Sequence, residues 1–309
     1  MSELHAAVAA VATRQHALFT RAQALAAGLT RHQLERGVGS GRYERLTSGL
    51  YRMAGSSASW EQRLMAGLLA VGGGALASHR SAACLWGLDG YEPGPLDISV
   101  QRHRRPIRRR GVEVHESTDL DLAEPTNRLR IPVTGVVRTL IDLGCVVSSK
   151  RLVQAVDSAI RRRFTTWEQL AAVRARHARR GRNGVGKMRE LLEERYGSTI
   201  PDSHFGRLVA DLLVDAGLPH PELEHNVFGP GGTWIARVDA AYPDELVAIE
   251  LDSKKHHLHE EAFERDRPRQ NRIELAGWLV LRYTWQFYSR SPGQLCGEVA
   301  EALRHRKLR

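Results

Sequence analysis

The residue types best suited to chemistry lie in one stretch, Arg237–His257, RVDAAYPDELVAIELDSKKHH. It carries Asp239, Glu250 and Asp252, followed by Lys254, Lys255, His256 and His257. The apolar run Leu246–Ile249 reads as a buried strand, and Pro243-Asp244-Glu245 as the turn before it. If Asp244-Glu245 is a two-residue hairpin turn, Asp239 lies opposite Glu250. Cross-strand Cβ atoms sit ~5 Å apart. A period of two places Asp252 on the face of Glu250. Carboxylates that close repel unless a cation stands between them. Hard oxygen ligands with open positions suit Mg²⁺, with Mn²⁺ as its substitute. Asp-Glu is not a favoured turn pair, so a bulge that shifts the pairing by one residue stays open.

The elements around this stretch must form a scaffold. A helix capped by Asp202 and Ser203 is predicted to Ala216, then a strand over Glu222–Phe228 and a turn at Gly229–Gly232. Strands over Trp234–Asp239 and Val247–Leu251 come next. Asp266 caps a helix with Pro268 near its start, closed by Gly277; Trp278–Tyr283 is a strand and Gly293–His305 the last helix. The order α-β-β-β-α-β-α predicts a mixed sheet flanked by helices.

RVD, a turn, AIELDSKKHH, ERDRPRQNRIELAGW and VLRYTW together resemble the DUF559 family. That family belongs to the PD-(D/E)xK restriction-endonuclease-like superfamily and is akin to the very-short-patch-repair endonucleases. The resemblance covers roughly residues 201–309. It implies that Asp239 is the metal-binding Asp, Glu250 the second acid and Asp252 the acid two residues on. His257 corresponds to the His of E-x-D-x-x-x-x-H, and Asp266 and Arg269 to D-x-x-R. It further implies a Mg²⁺-dependent DNA endonuclease, with the ion held by Asp239, Glu250 and Asp252 and lowering the pKa of a bound water. His257, or a lysine such as Lys254, would relay a proton or contact the phosphate. Arg269 would stabilise the pentavalent oxygens. Two departures stand out. The family's first helix carries S-x-x-E, whereas Ser203-His204-Phe205-Gly206 has no Glu. Asp252 also occupies the Lys position of (D/E)xK.

At the front, Thr20 is positioned to cap a helix over Arg21–Ala27, Gly28 to turn the chain, and Thr30 to cap a helix over Arg31–Gly37. Gly39–Arg52 reads as a hairpin with Ser48-Gly49 at its turn. The second helix carries Arg31, His32, Gln33 and Arg36, suited to base edges; Arg42, Arg45 and Arg52 on the wing suit phosphates. The order QHALFTRAQALAAGLTRHQL…GRYERLTSGLY resembles the N-terminal winged helix of AbiEi-type antitoxins, which implies duplex DNA binding.

Residues 57–198 form a middle region with helices over Trp60–Val71 and Ser78–Leu85 and strands over Leu96–Val100 and Gly111–His115. Between the two strands, RHRRPIRRR holds six arginines in nine residues. Such a run is usually a solvated loop. As a hairpin tip it also serves as a phosphate hook, Arg105, Arg108 and Arg109 included. Ile131–Thr134 starts a helix ended by Gly144. His79 and His115 read as packing or capping groups and not as ligands. The region resembles the middle of AbiEi-like and DUF559 proteins, and helices follow over Lys150–Arg162, Thr166–His177 and Val185–Tyr196.

The expected organisation is a winged helix at 1–55, a mixed α+β middle domain at 57–198 and an endonuclease-like domain at 199–309. The chain has 309 residues, 42% hydrophobic and 26% charged, ordinary for a globular α/β protein with ample core. Its 45 Lys and Arg against 35 acids give a net charge of +10, which favours nucleic acid over membrane as partner. Three scattered cysteines, with no CxxC, argue against a disulfide framework or zinc ribbon and for a reducing cytoplasm, in the nucleoid. No signal peptide or membrane span is read. Two functions follow. The first is a Mg²⁺-dependent DNA endonuclease targeted by the winged helix, favoured by the retained acids. The second is a non-catalytic AbiEi-like autorepressor with a degenerate nuclease domain and a cognate toxin or a homodimer as partner. The missing helix Glu and the antitoxin-like front favour that one.

Overall fold

The computed structural model describes residues 3–72, 74–102, 111–120, 124–176, 184–196, 202–252 and 260–307, with backbone only at 176, 202 and 260–267. It divides into two compact units, Met1–Arg161 and Arg162–Arg309. Both mix helices with sheet, the α/β class expected. Of the segment 57–198, the helices after residue 161 fall in the second unit. Among the described residues no helix is long and apolar enough to cross a membrane.

The first unit opens with α1 (Glu3–Thr13), β1 (Leu18–Thr20), α2 (Arg21–Ala26) and α3 (Arg31–Gly39). Thr20 and Thr30 each build a capping box, with Gln23 and Gln33 bonding back to the cap backbone. Two orphan amides are thereby satisfied at each helix start. β2 (Tyr43–Thr47) and β3 (Leu50–Met53) form the wing, and β1 adds to it in the order β1-β3-β2. Its core is aromatic: Phe19 meets Tyr43 edge-on at 4.9 Å and stacks on Tyr51 at 5.5 Å. Gly37 is required here, because a Cβ on it would stand 2.6 Å from the Tyr43 ring.

Next come α4 (Trp60–Val71), β4 (Leu76–Ala77), α5 (His79–Trp86), β5 (Leu96–Gln101), β6 (Val112–Ser117), β7 (Thr126–Arg128), β8 (Ile131–Val133), α6 (Val136–Val146) and α7 (Ser149–Arg161). The sheet order is β6-β5-β4-β8-β7. Three expectations are corrected. β5 and β6 pair in parallel, Leu96 with Val112, so they are not the arms of a hairpin. An alternating pattern marks a strand's faces and carries no information on its direction. Ile131–Val133 is a strand paired with β4 and β7. α6 runs past Gly144 to Val146, and the Val147 N–H closes it on the Leu143 carbonyl. Ser78 stands at the N-cap of α5, but its hydroxyl bonds His79 Nδ1 at 3.0 Å and not the helix amides.

The second unit holds α8 (Trp167–Arg176), α9 (Val185–Arg195), α10 (Asp202–Asp215), β9 (Glu222–Phe228), β10 (Trp234–Tyr242), β11 (Val247–Asp252), α11 (Glu260–Leu275), β12 (Leu279–Thr284), α12 (Trp285–Arg290) and α13 (Pro292–Lys307). The sheet order is β12-β11-β10-β9; the β9-β10-β11 pairs are antiparallel and β11-β12 is parallel. This is the mixed, helix-flanked sheet expected. α11 begins well before Asp266 and takes Pro268 into its interior, where sequence reading had put a start. The register across the β10–β11 turn is Tyr242 with Val247 and Ala240 with Ile249. The loop is therefore four residues, closed by Leu246 N–H donating to the Pro243 carbonyl at 3.1 Å.

Candidate functional site

Two surfaces carry the residues singled out above. The first is the face of α3 and the wing. Arg31, His32, Glu35 and Arg36 are exposed on α3, and Leu34 turns inward to the core. Gln33 serves the cap: its Oε1 accepts from Thr30 N at 2.8 Å. That oxygen is therefore engaged within the helix, and the amide group retains its donors. Arg42 is exposed at the wing's entry. Arg45 pairs with Glu35 of α3 and lies over the Tyr51 ring, 5.7 Å from its centre, and Arg52 pairs with Glu44. The Arg45–Glu35 pair ties wing to helix through exposed groups. Such pairs are worth ~0–1 kcal/mol, and a phosphate can compete for them. Arg105, Arg108 and Arg109 lie outside the described residues.

The second surface is the carboxylate end of the C-terminal sheet. Continuing the β10–β11 register one step places Asp239 opposite Glu250, and Glu250 also lies beside Arg282 on β12. Asp239 Oδ2 accepts from the Leu251 amide at 2.7 Å. Glu250 is 8% exposed. Burial pushes its carboxyl up to about 7; the Arg269 charge opposes this, while Asp239 and Asp252 add to it. Arg269 Nη2 stands 3.0 Å from Glu250 Oε1, an ion pair by distance. The alignment is not that of a hydrogen bond, and the same nitrogen donates to the Arg237 carbonyl at 2.5 Å. Asp252 is half-buried at the end of β11.

The cation beside Glu250 is thus a guanidinium. Among the described residues, no group of three or more His, Cys, Asp or Glu is arranged to hold a metal ion. Asp239 and Glu250 come together; Lys254 and His257 lie outside the described residues. Gly206, at the position of the helix Glu in the DUF559 pattern, faces β10; a Cβ there would stand 4.0 Å from the Asp239 carbonyl and 3.8 Å from Leu223. The space beyond is a cleft of about 290 Å³ lined by Ser203, Gly206, Arg207, Leu223, Glu224, Arg237 and Asp239. Sequence reading missed Arg207 and Arg237. Arg207 adjoins Gly206, and Arg237 is two residues before Asp239, so spacing held a signal for both.

Comparison with known proteins bears on the first surface. Residues 7–54 match the family model of the AbiEi antitoxin, a transcriptional regulator. The AbiEi match spans α2, α3 and the wing, where the exposed arginines lie. Over 278 residues the chain is 28% identical to an uncharacterized protein of Mycobacterium tuberculosis, in strains CDC 1551 and H37Rv, covering 89% of this chain and 97% of the relative. A crystal structure of the RV2827C protein from Mycobacterium tuberculosis aligns with a TM-score of 0.32 at 15% identity, over 74% of this chain and 89% of that one.

A further cluster lies inside the first unit. Asp97 is fully buried and accepts from Arg80 Nε and Nη2 at 2.8 and 2.9 Å, with His115 Nε2 at 2.8 Å. Burial opposes its charge, but these hydrogen bonds win and hold its carboxyl at about 2. His79 stacks on His115 with ring centres 3.7 Å apart, and burial lowers its pKa to about 3, so it is neutral. His79 is a packing group, as expected, whereas His115 packs on it and also hydrogen-bonds the buried Asp97.

Proposed function

We propose that the chain is a DNA-binding transcriptional regulator of the AbiEi antitoxin kind. α3 enters the major groove with Arg31, His32 and Arg36, and Arg42 and Arg45 of the wing lie on the backbone. The observation that carries this reading is the exposed basic face of a doubly capped helix beside its wing, inside the segment that matches the antitoxin family. A cognate toxin is the protein partner that the same match suggests. The test is gel-shift of the full chain on its own upstream DNA. Affinity falls steeply with salt, because each phosphate contact releases counterions. Arg31→Ala and Arg36→Ala each cost ~1–3 kcal/mol and relax sequence preference. Salt-insensitive binding, or none, rejects the reading.

A second reading, a Mg²⁺- or Mn²⁺-dependent endonuclease, draws support from one observation: Asp239 and the buried Glu250 face each other across a ladder. These two would hold the ion, with Asp252 at the strand end, and the ion would supply charge neutralisation at a scissile phosphate. Arg269 would have to yield its place beside Glu250. Incubation of supercoiled DNA with Mg²⁺, Mn²⁺ or EDTA tests this. Metal-dependent nicking lost in Asp239→Ala and Glu250→Ala supports it, and nicking no greater than the EDTA control removes it.

A further inference from the structure

The tip of the β9–β10 hairpin presents two large aromatics to solvent. Phe228 is 54% exposed and Trp234 57%, and they pair directly across the ladder. A single exposed apolar side chain means little. Two adjoining aromatics, more than half bare at a sheet edge, mark an interaction surface. Trp234 is also held in place: its indole Nε1 donates to Asn226 Oδ1 at 3.1 Å.

A β-bulge decides which way this pair faces. The register shifts between Trp234 and Ala236. Ile235, Ala236 and Val238 all enter the same core cluster, with Ile273 of α11 and Trp278. Regular alternation would send Ile235 and Ala236 to opposite faces; the bulge puts both on the α11 side. Trp234 therefore shares the other face with Arg237, whose partner across the ladder, Asn226, accepts the Trp234 indole N–H. That face leads from the aromatic tip to the cleft under Gly206 and Arg207, ~16 Å along the strand. Arg237 is exposed and lies 3.6 Å from the exposed Glu224, a pair loose enough for a phosphate to enter.

We propose that this strip binds an unpaired nucleic-acid strand, with bases stacked on Trp234 and Phe228 and phosphates met by Arg237 and Arg207. Stacking on aromatic faces accepts any base, and guanidiniums along the same track supply the backbone contact. A duplex keeps its base faces covered, so it does not satisfy the aromatic end. An apolar protein partner would make no use of the two exposed guanidiniums at the cleft. The inference goes beyond the regulator reading and does not depend on cleavage.

The test uses the full chain in EDTA with a short fluorescent oligothymidine strand and a strand of the same length with abasic sugars. Wild type binds oligothymidine about tenfold more tightly than the abasic strand. Trp234→Ala and Phe228→Ala each remove most of that difference, while Trp234→Phe keeps it. Duplex binding through α3 is unchanged in all three. Arg31→Ala/Arg36→Ala does the reverse, losing duplex and keeping oligothymidine. Far-ultraviolet spectra and melting curves check that the variants fold. Three results overturn the proposal: no oligothymidine binding by wild type, equal binding of the abasic strand, or Trp234→Ala altering self-association in sedimentation while leaving oligothymidine binding intact.

Discussion

Replacing Glu250 with Gln should stabilise the protein, and the gain should depend on pH. Glu250 is 8% exposed and its carboxyl is pushed from 4.5 up to about 7, first by burial. A folded-state pKa above the unfolded value means the folded chain holds the proton more tightly. Stability is then full below pH 4.5 and falls as pH climbs through about 7. Moving a carboxyl from 4.5 to about 7 corresponds to ~3 kcal/mol, lost in full only above the higher value. Gln keeps the shape and an acceptor for Arg269 without the charge. Glu250→Gln should match wild type at pH 4 and exceed it by ~2–4 kcal/mol at pH 8. For a unit of this size that is ~6–12 °C in Tm. Thermal melts of both proteins across this range measure it. A constant difference between the two melting curves at every pH would refute the burial of Glu250 beside Asp239. One addition separates the two functional readings. If the acid pair holds an ion, Mg²⁺ at pH 8 raises the Tm of wild type and not that of Glu250→Gln.

Three further outcomes are expected. Gly37→Ala drives a methyl to 2.6 Å from the buried Tyr43 ring, and melting should show a loss of ~1–3 kcal/mol together with weaker duplex binding. Asp97→Asn weakens charge-assisted bonds to Arg80 and His115 and should cost ~2 kcal/mol at neutral pH; because its carboxyl sits at about 2, that cost fades as pH falls toward 2 in denaturant titrations. Gly206→Glu meets only ordinary contacts at its Cβ, so the variant should fold, and calorimetry should detect Mg²⁺ binding gained over wild type if the cleft retains the geometry of a metal site.

Much of this architecture is legible in the residues. Thr-x-x-Gln at Thr20 and Thr30 announces two capped helices, and Ser48-Gly49 announces the wing turn, because caps and turns are local chemistry. The facing of Asp239 and Glu250 was legible because the two-residue loop expected and the four-residue loop observed share one register sum. What was not legible is long-range. Strand direction decided β5 against β6, and nothing in LDISV or VEVHE encodes it. The Arg80–Asp97–His115 cluster joins three elements, so its members look isolated along the chain. Pro268 misled because proline favours a helix start, and yet α11 absorbs it. The bulge at Ile235 inverted the face of Trp234, which a period of two alone would have assigned wrongly.

The charge arrangement of the cleft bears on which reading the chain can sustain. A carboxylate pair needs a positive neighbour, and here Arg269 supplies it at 3.0 Å from Glu250. Glu224 has Arg237 at 3.6 Å, and Asp239 has the Leu251 amide. These three acids are thereby answered by donors that the chain itself provides. Burial goes further and pushes the Glu250 carboxyl up to about 7, so it is only partly ionised at neutral pH. A phosphate approaching this face meets the exposed Arg207 and Arg237, and the Glu224 partner of Arg237 is exposed and exchangeable, so the proposed strand needs no divalent ion between. Hydrolysis asks for more: Arg269 must leave, Glu250 must ionise, and the place of a helix Glu is Gly206. The arrangement therefore sustains binding as it stands, whereas catalysis requires a rearrangement that Mg²⁺ itself would have to drive. The pH-dependent Mg²⁺ response of Glu250 measures whether it does.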